Sequence, residues 1–440
     1  LALPRIMANF LITTANTLAQ GTLTADTFYF NTARGVSLQG SSGDDVLTAG
    51  TANLTATNAL LAGNAGNDTI NLLSSFNTNQ GSIFGGAGND IISASQFSAV
   101  DTTLQGGGGN DSITLASAQF DRGNVGLNAG DDSIVASASA VFNSAVVALG
   151  GGTDTLTAVY VSSVGSTING GGGADTISAS NLSSVGSTIN GGGGADTIDI
   201  NGGSLSGGQV NGDVLGDDTF FGNDTISFGS NVSGGAALSI FGGATINGGL
   251  GNDQISAGVG TGGIATAFIN GNQGDDIIVV EGIGSGAGSA FIGGGAGNDT
   301  INVGQDTDSG VSFGTVMGGG GVDTIIYSAD IAGGLEGNSG GTTGGFIQGG
   351  LGADLISFNG TETGGMATLL YASAGESNIV SNVNSIDTVS SNAAANGADK
   401  LVFSIGSIHT ADSRVSAQGT INGVEVYTAT NDQQPGGPGG

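Results

Sequence analysis

The chain of 440 residues carries 89 glycines, 36 acidic against 5 basic side chains, one histidine, three prolines and neither cysteine nor tryptophan. A formal charge of −31 excludes partners that are themselves anionic, nucleic acid and acidic lipid surfaces foremost, and points to cations. Without cysteine there is no disulfide framework and no thiolate metal site; so much glycine with so little proline fits neither an ordinary packed globule nor collagen, and a repeat architecture is the expectation.

The first segment, residues 1–37, has an apolar stretch interrupted by Pro4 and Arg5 and again by Asn9 and Thr13, which gives little support for a cleaved secretory signal. No run reaches transmembrane length. The segment holds one weak echo of the repeat that begins at residue 38, Asp26-Thr27-Phe28, and is expected to cap the first coil of the array.

The array itself is expected from residue 38 to residue 358. Residues 162–177 and 183–198 are the same sixteen amino acids, SSVGSTINGGGGADTI, 21 positions apart. Around this pair an aspartate recurs in a glycine-rich frame at Asp45, Asp68, Asp90, Asp111, Asp132, Asp154, Asp175, Asp196, Asp224, Asp253, Asp276, Asp299, Asp323 and Asp354. Most intervals are 21 to 24 residues, with 28, 29 and 31 where loops are inserted. Two residues after each aspartate comes an apolar residue, and often another two further on, as in Ile70 with Leu72 and Ile113 with Leu115: the alternation of a strand with one face inward. A second inward position precedes the glycines, as at Leu61, Ile83, Leu104 and Ile168. Each coil therefore reads as a strand, a tight Gly/Asp turn, a second strand and a looser return such as residues 180–184. Stacked in parallel, about 14 such coils form an all-β solenoid with one turn edge carrying every aspartate. Asn169, Asn190, Asn211, Asn247 and Asn270 share one register, which predicts either an amide ladder or a solvated surface row.

The turn chemistry points to calcium. Glycines let backbone carbonyls converge, aspartate is short enough to reach into the turn, and Ca²⁺ accepts six to eight hard oxygen ligands in a flexible shell. Zinc and copper are disfavoured because the array has neither histidine nor cysteine. Aspartates stacked at the strand spacing of about 4.8 Å would also repel one another without a cation between them. The frame, for instance Gly85-Gly86-Ala87-Gly88-Asn89-Asp90-Ile91-Ile92, resembles the Gly-Gly-x-Gly-x-Asp-x-apolar nonapeptide of the RTX, or repeats-in-toxin, calcium-binding family. That resemblance implies Ca²⁺ between stacked turns, up to about 13 ions, held by the fourteen aspartates and by carbonyls of neighbouring coils. The family runs its nonapeptides back to back, whereas here one alternates with a plain stretch of 12 to 14 residues, so calcium is expected along one edge only. Three copies are imperfect: Leu127 and Leu149 stand where the first glycine belongs before Asp132 and Asp154, and about seven residues are inserted before Asp224. Those three sites are expected to be weaker or empty.

Residues 359–430 lose the frame apart from a degenerate Asn396-Gly397-Ala398-Asp399, and they contain the single lysine, Lys400, and the single histidine, His409. They read as a separate C-terminal cap, assembly or secretion segment, and the Pro/Gly residues 431–440 as a disordered tail.

These features favour a calcium-binding extracellular structural protein with no catalytic residues and no membrane span. Its expected task is as a self-assembling homo-oligomeric subunit of a surface layer, filament or matrix; the RTX resemblance implies export without an N-terminal signal, by a type I-like route. The alternative is a virion structural protein, a fibre or decoration subunit attached to a larger assembly. A polysaccharide-active β-helix enzyme ranks lower, since Arg122 is the only basic side chain between residues 38 and 358 and His409 stands alone. So does an ice-binding face, suggested by Thr69, Thr155, Thr176, Thr197, Thr225, Thr300 and Thr324 at one register.

Overall fold

The computed structural model describes residues 9–12, 18–30, 35–49, 55–72, 77–213, 222–229, 238–257, 259–264, 266–280, 290–303, 314–327, 346–351 and 354–358, and six short strands between residues 368 and 425. The chain forms two compact units, Leu1–Gly260 and Thr261–Gly440.

One coil of the first unit shows how the sequence builds it. Strand Ser82–Ala87 runs into a turn that ends at Asp90; strand Ile91–Ser95 follows, then a short strand Ser98–Val100, and Thr103–Gly108 opens the next coil. Each strand pairs in parallel with its equivalents one coil away on either side. Ile83 lies between Leu61 and Leu104, Ile92 between Ile70 and Ile113, and Ala99 between Thr78 and Phe120. A repeat of 21 or 22 residues keeps every inward side chain over its predecessor, so register is fixed by the apolar pattern. The expected β-solenoid is present, with no α-helix among the described residues.

The coil is three-sided rather than two-sided. The return expected to be loose is itself a strand, at Asn77–Asn79, Ser98–Val100, Gln119–Asp121 and Leu182–Val185 among others. Its corners are residues in the left-handed region, such as Gln80 (φ 55°), Gln96 (φ 54°) and Ser117 (φ 58°), a conformation that polar residues tolerate singly. The composition of this third side hid it, because its inward residues range from small and polar to aromatic: Ala56, Thr78, Ala99, Phe120, Phe142, Ser163, Ser184 and Leu205. At its centre Phe97 meets Phe120 edge-on and Phe120 stacks on Phe142, with ring centroids 5.5 and 5.7 Å apart. Full burial of each such side chain contributes about 1.5–3 kcal/mol.

The amide ladder forms over three coils: Asn211 Nδ2 donates to Asn190 Oδ1 at 2.8 Å and Asn247 Nδ2 to Asn211 Oδ1 at 2.7 Å. Asn211 and Asn247 are buried, whereas Asn169, Asn190 and Asn270 are half-buried, so only part of this row is withdrawn from solvent. Residues expected to cap the array also enter the stack. Asn9–Ile12 pairs with Thr27–Phe30, which pairs with Val46–Ala49, and Leu18–Gln20 pairs with Ser37–Gln39.

In the second unit the strands before the turns, Phe268–Gln273, Ala290–Ala296, Gly314–Gly320 and Phe346–Leu351, pair in parallel in that order. Those after the turns, Ile277–Val280, Thr300–Val303, Thr324–Tyr327 and Leu355–Phe358, do the same. Both rows run on into the segment expected to stand apart: Thr368–Tyr371 and Thr388–Ser391 extend one, Ile379–Ser381 and Val402–Ser404 the other. One antiparallel pair, Thr420–Ile421 with Val424–Glu425, comes after them. The degenerate frame at 396–399, Lys400, His409 and the tail 431–440 lie outside the described residues.

Candidate metal edge

Each Gly/Asp turn joins the strand before it to the strand after it, and stacking brings the turns of each unit onto one edge. All fourteen aspartates singled out from the sequence are buried there. In the first unit each backbone N–H donates to the carboxylate of the next coil: Asp45 to Asp68 Oδ1 at 2.7 Å, Asp68 to Asp90 at 2.7 Å, Asp90 to Asp111 at 2.8 Å, Asp175 to Asp196 at 2.7 Å and Asp224 to Asp253 at 2.8 Å. The second unit repeats this from Asp276 to Asp299 at 2.9 Å and from Asp323 to Asp354 at 2.9 Å. A second ladder runs in the opposite sense where an exposed Asn or Asp precedes the aspartate: Asn89 N–H donates back to Asn67 Oδ1 and Asn110 N–H to Asn89 Oδ1, both at 2.8 Å. The two ladders tie every turn to both neighbours and explain why Asn or Asp so often precedes the aspartate.

Glycine is demanded by this close approach. A Cβ on Gly107, held at φ 128°, would stand 1.8 Å from the Gly86 carbonyl oxygen. At the first glycine of the frame the obstacle is different. A Cβ on Gly85 would meet Asp90 Oδ2 and the Gly106 carbonyl oxygen, each at 2.4 Å; the equivalent point at Gly63 has Asp68 Oδ2 at 2.1 Å and the Gly85 oxygen at 2.5 Å. At Gly294 in the second unit it has Asp299 Oδ2 at 2.3 Å and the Gly318 oxygen at 2.5 Å. The missing side chain thus leaves a cradle into which a carboxylate oxygen and a carbonyl oxygen of the next coil converge.

The carboxylate oxygen in that cradle has no donor. Oδ1 is satisfied by the ladder, but Oδ2 of Asp45, Asp68, Asp90, Asp111, Asp132, Asp154, Asp175, Asp196, Asp224, Asp299 and Asp323 is buried without a hydrogen bond. Burial therefore pushes the carboxyl groups upward, against the lowering effect of the donated N–H. Asp45, Asp68, Asp111, Asp154 and Asp253 rise to about 6, Asp90, Asp196 and Asp323 to about 7, and Asp224 to about 8. Asp132, Asp175 and Asp299 are raised as well. Neighbouring carboxylates add to the rise, as Asp68 and Asp111 do at Asp90. A buried row of ionised oxygens lacking donors is unstable unless protonated or paired with a cation.

The donor set fits a hard cation. The oxygens that converge at each cradle are a carboxylate and a backbone carbonyl, as at Gly85 with Asp90 Oδ2 and the Gly106 oxygen. Calcium accepts that mixture; zinc, which favours nitrogen and sulfur, does not find it here.

The two imperfect frames differ at the cradle itself. Leu127 and Leu149 are wholly buried where the first glycine would be, so a side chain occupies the space while Asp132 and Asp154 keep their places in the ladder, donating at 2.7 and 2.8 Å. Two further carboxylates at this edge stand outside the fourteen. Asp26 joins the ladder, its N–H donating to Asp45 Oδ1 at 2.7 Å, and its own Oδ2 accepts Thr22 N–H at 2.5 Å and Thr22 Oγ1 at 3.0 Å. Its Asp-Thr-Phe echo was the only signal. Asp213, in the coil with the insertion, occupies a position that is glycine in most frames, and no motif marks it.

Comparison with known proteins agrees with this chemistry. The family model described as "RTX calcium-binding nonapeptide repeat (4 copies)" matches residues 37–53, 55–74, 82–97, 99–116, 166–181, 245–264 and 285–309. No curated protein sequence matches the chain. Among solved structures, a hyperactive, Ca²⁺-dependent, β-helical antifreeze protein from an Antarctic bacterium is similar at 18% identity, with a TM-score of 0.38, over 87% of this chain and 85% of that one, a likeness too distant to bear on function. The chain carries RTX calcium-binding nonapeptide repeats at several places along a parallel β-solenoid.

Proposed function

We propose that the chain is a non-catalytic, calcium-stapled structural protein of the extracellular space, and that it serves as a self-assembling subunit of a surface layer, filament or matrix. The observation that carries the reading is the row of buried Oδ2 atoms without donors. It supports a fold that depends on a cation, and calcium at about 10⁻⁴–10⁻³ M, the range of extracellular oxygen-ligand modules, is present outside cells. In the first unit the cradles beside Asp45, Asp68, Asp90, Asp111, Asp175, Asp196 and Asp224 support ions at these residues, with Asp253 kept from the fourteen, over Asp132 and Asp154, where Leu127 and Leu149 fill the space. Asp276, Asp299, Asp323 and Asp354 hold ions in the second. Asp26, whose carboxylate is satisfied by Thr22, ends the row. Arg122, the only base of the array, is engaged by Asp101 at 2.8 Å and Asp121 at 3.0 Å, which favours a structural role for it over acid–base chemistry.

Electron microscopy and sedimentation of the full chain in millimolar calcium test the assembly reading. Ordered sheets or filaments that dissolve in chelator are expected. A protein that stays monomeric at high concentration in calcium overturns self-assembly and leaves attachment to a different assembly, such as a virion, as the better account.

A second reading rests on a specific surface. Thr155, Thr176, Thr197 and Thr225 pair directly in register, and one step outward along the same strands lie Thr157, Ser178, Asp199 and Ser227. The resulting face carries hydroxyl groups and a single charge, which suits ordered water, although Val46, Ile91 and Gln254 interrupt its first row. Partition of the protein into a slowly growing ice front distinguishes the readings: enrichment in the ice supports this face, and exclusion removes it.

A further inference from the structure

Resting on the calcium reading, we infer that Asp213 is an additional metal ligand, which with Asp224 makes the coil carrying the insertion the tightest calcium site of the first unit rather than a weak one. Asp213 stands where the preceding coil has Gly192, and unlike the glycines and asparagines at this position it is not held at positive φ. Its side chain reaches the following coil, where Oδ2 accepts Leu250 N–H at 2.7 Å. The other oxygen, Oδ1, is buried with no hydrogen-bond partner, in a residue only 3% exposed. An unsatisfied carboxylate oxygen in the interior is costly, and nothing in the ladder accounts for it.

Its surroundings indicate what it is for. The residue just before it, Gly212, provides a cradle of the regular kind: a Cβ there would meet Asp224 Oδ2 at 2.2 Å and the Gly248 carbonyl oxygen at 2.3 Å. Asp224 Oδ2 also lacks a donor. Asp213 lies close enough to Asp196, Asp224 and Asp253 for its charge to raise all three, and burial lifts Asp213 itself to about 6. A regular frame supplies one carboxylate per coil, which leaves half the charge of a divalent ion to neighbours. Asp213 and Asp224 together supply two, and ligand charge is among the properties that set calcium affinity in oxygen sites.

Equilibrium dialysis of the full chain against radioactive calcium, compared with Asp213→Asn and Asp213→Gly, tests the inference. The asparagine keeps an acceptor for Leu250 N–H without the charge, and the glycine restores the residue of the regular frame, so at least one variant should fold. Circular dichroism in calcium verifies this. The wild type should take up its first ion about tenfold or more tightly than the rest, and both variants should lose that step while keeping the weaker ones. If a folded variant retains the tight step, Asp213 is not a ligand. If no step is tighter than the others, the inference likewise fails while the calcium reading stands. A wild type that binds no calcium at all overturns the reading beneath it.

Discussion

Asp90→Asn is expected to change sign with calcium. Asparagine preserves Oδ1 as the acceptor of Asp68 N–H, and it places an NH₂ group where Asp90 Oδ2 shares its cradle with the Gly106 carbonyl oxygen. A donor then faces an acceptor, where the wild type has two oxygens facing one another. In chelator at pH 8 the wild-type carboxylate is ionised although its folded-state pKa is about 7 against 3.8 for the free group, a penalty of about 4 kcal/mol at most, which solvent relaxation reduces. The substitution removes that penalty, so without calcium the variant should retain more β-structure than the wild type. In millimolar calcium it removes one charge from a bound ion's shell; at a hundredfold excess over Kd the lost binding is worth about 2.7 kcal/mol, and the variant should melt several degrees lower. Asp90→Ala lacks the compensation, since it orphans Asp68 N–H at about 1–3 kcal/mol, and should be less stable than the asparagine variant in both conditions. The assay is far-UV circular dichroism against temperature, with and without chelator. Equal destabilisation by asparagine in both conditions would refute the view that Asp90 is a buried, unpaired carboxylate awaiting a cation.

The pH dependence should likewise reverse. The folded-state carboxyl values of about 6 to 8 lie above the free value, so the calcium-free fold binds extra protons; that stabilisation is complete below about pH 3.8 and disappears as pH rises through 6 to 8. Thermal scans in chelator should give a higher Tm at pH 5 than at pH 8, and scans in calcium the opposite, because the ion requires ionised ligands. Leu127→Gly should open the cradle of Asp132 and add about one ion per chain by equilibrium dialysis, while costing the first unit about 2–5 kcal/mol for the lost core side chain; unchanged stoichiometry in a folded variant would mean that the leucine does not block the site. Phe120→Ala, at the centre of the aromatic row, should cost about 3–5 kcal/mol in calcium without altering the number of ions bound, by the same two assays.

The sequence foretold most where identical residues must coincide in space. A 21-residue period with apolar residues on either side of each turn leaves parallel stacking as the economical way to bury Ile70, Ile92 and Ile113 together, and the aspartate row results from the same period. The third side of the coil was harder to foresee, because Ala99, Phe120, Phe142 and Ser163 share a register but no chemistry, and the polar corners at Gln96 and Ser117 look like loop. Asp26 was faintly visible. Asp213 was not, because a carboxylate in a glycine position becomes meaningful only once its unpaired oxygen and the Gly212 cradle are seen in three dimensions. The insertion that made Asp224 look defective sits beside the residue that reinforces it.

The most direct test of the account is the far-UV circular dichroism spectrum of the full chain at pH 8 in excess chelator, followed by titration with calcium. Loss of β-structure in chelator and its cooperative return at about 10⁻⁴–10⁻³ M calcium are the predicted result, since buried Asp68, Asp90 and Asp111 present oxygens that no protein donor satisfies. A spectrum and melting temperature that are the same with and without calcium would contradict it.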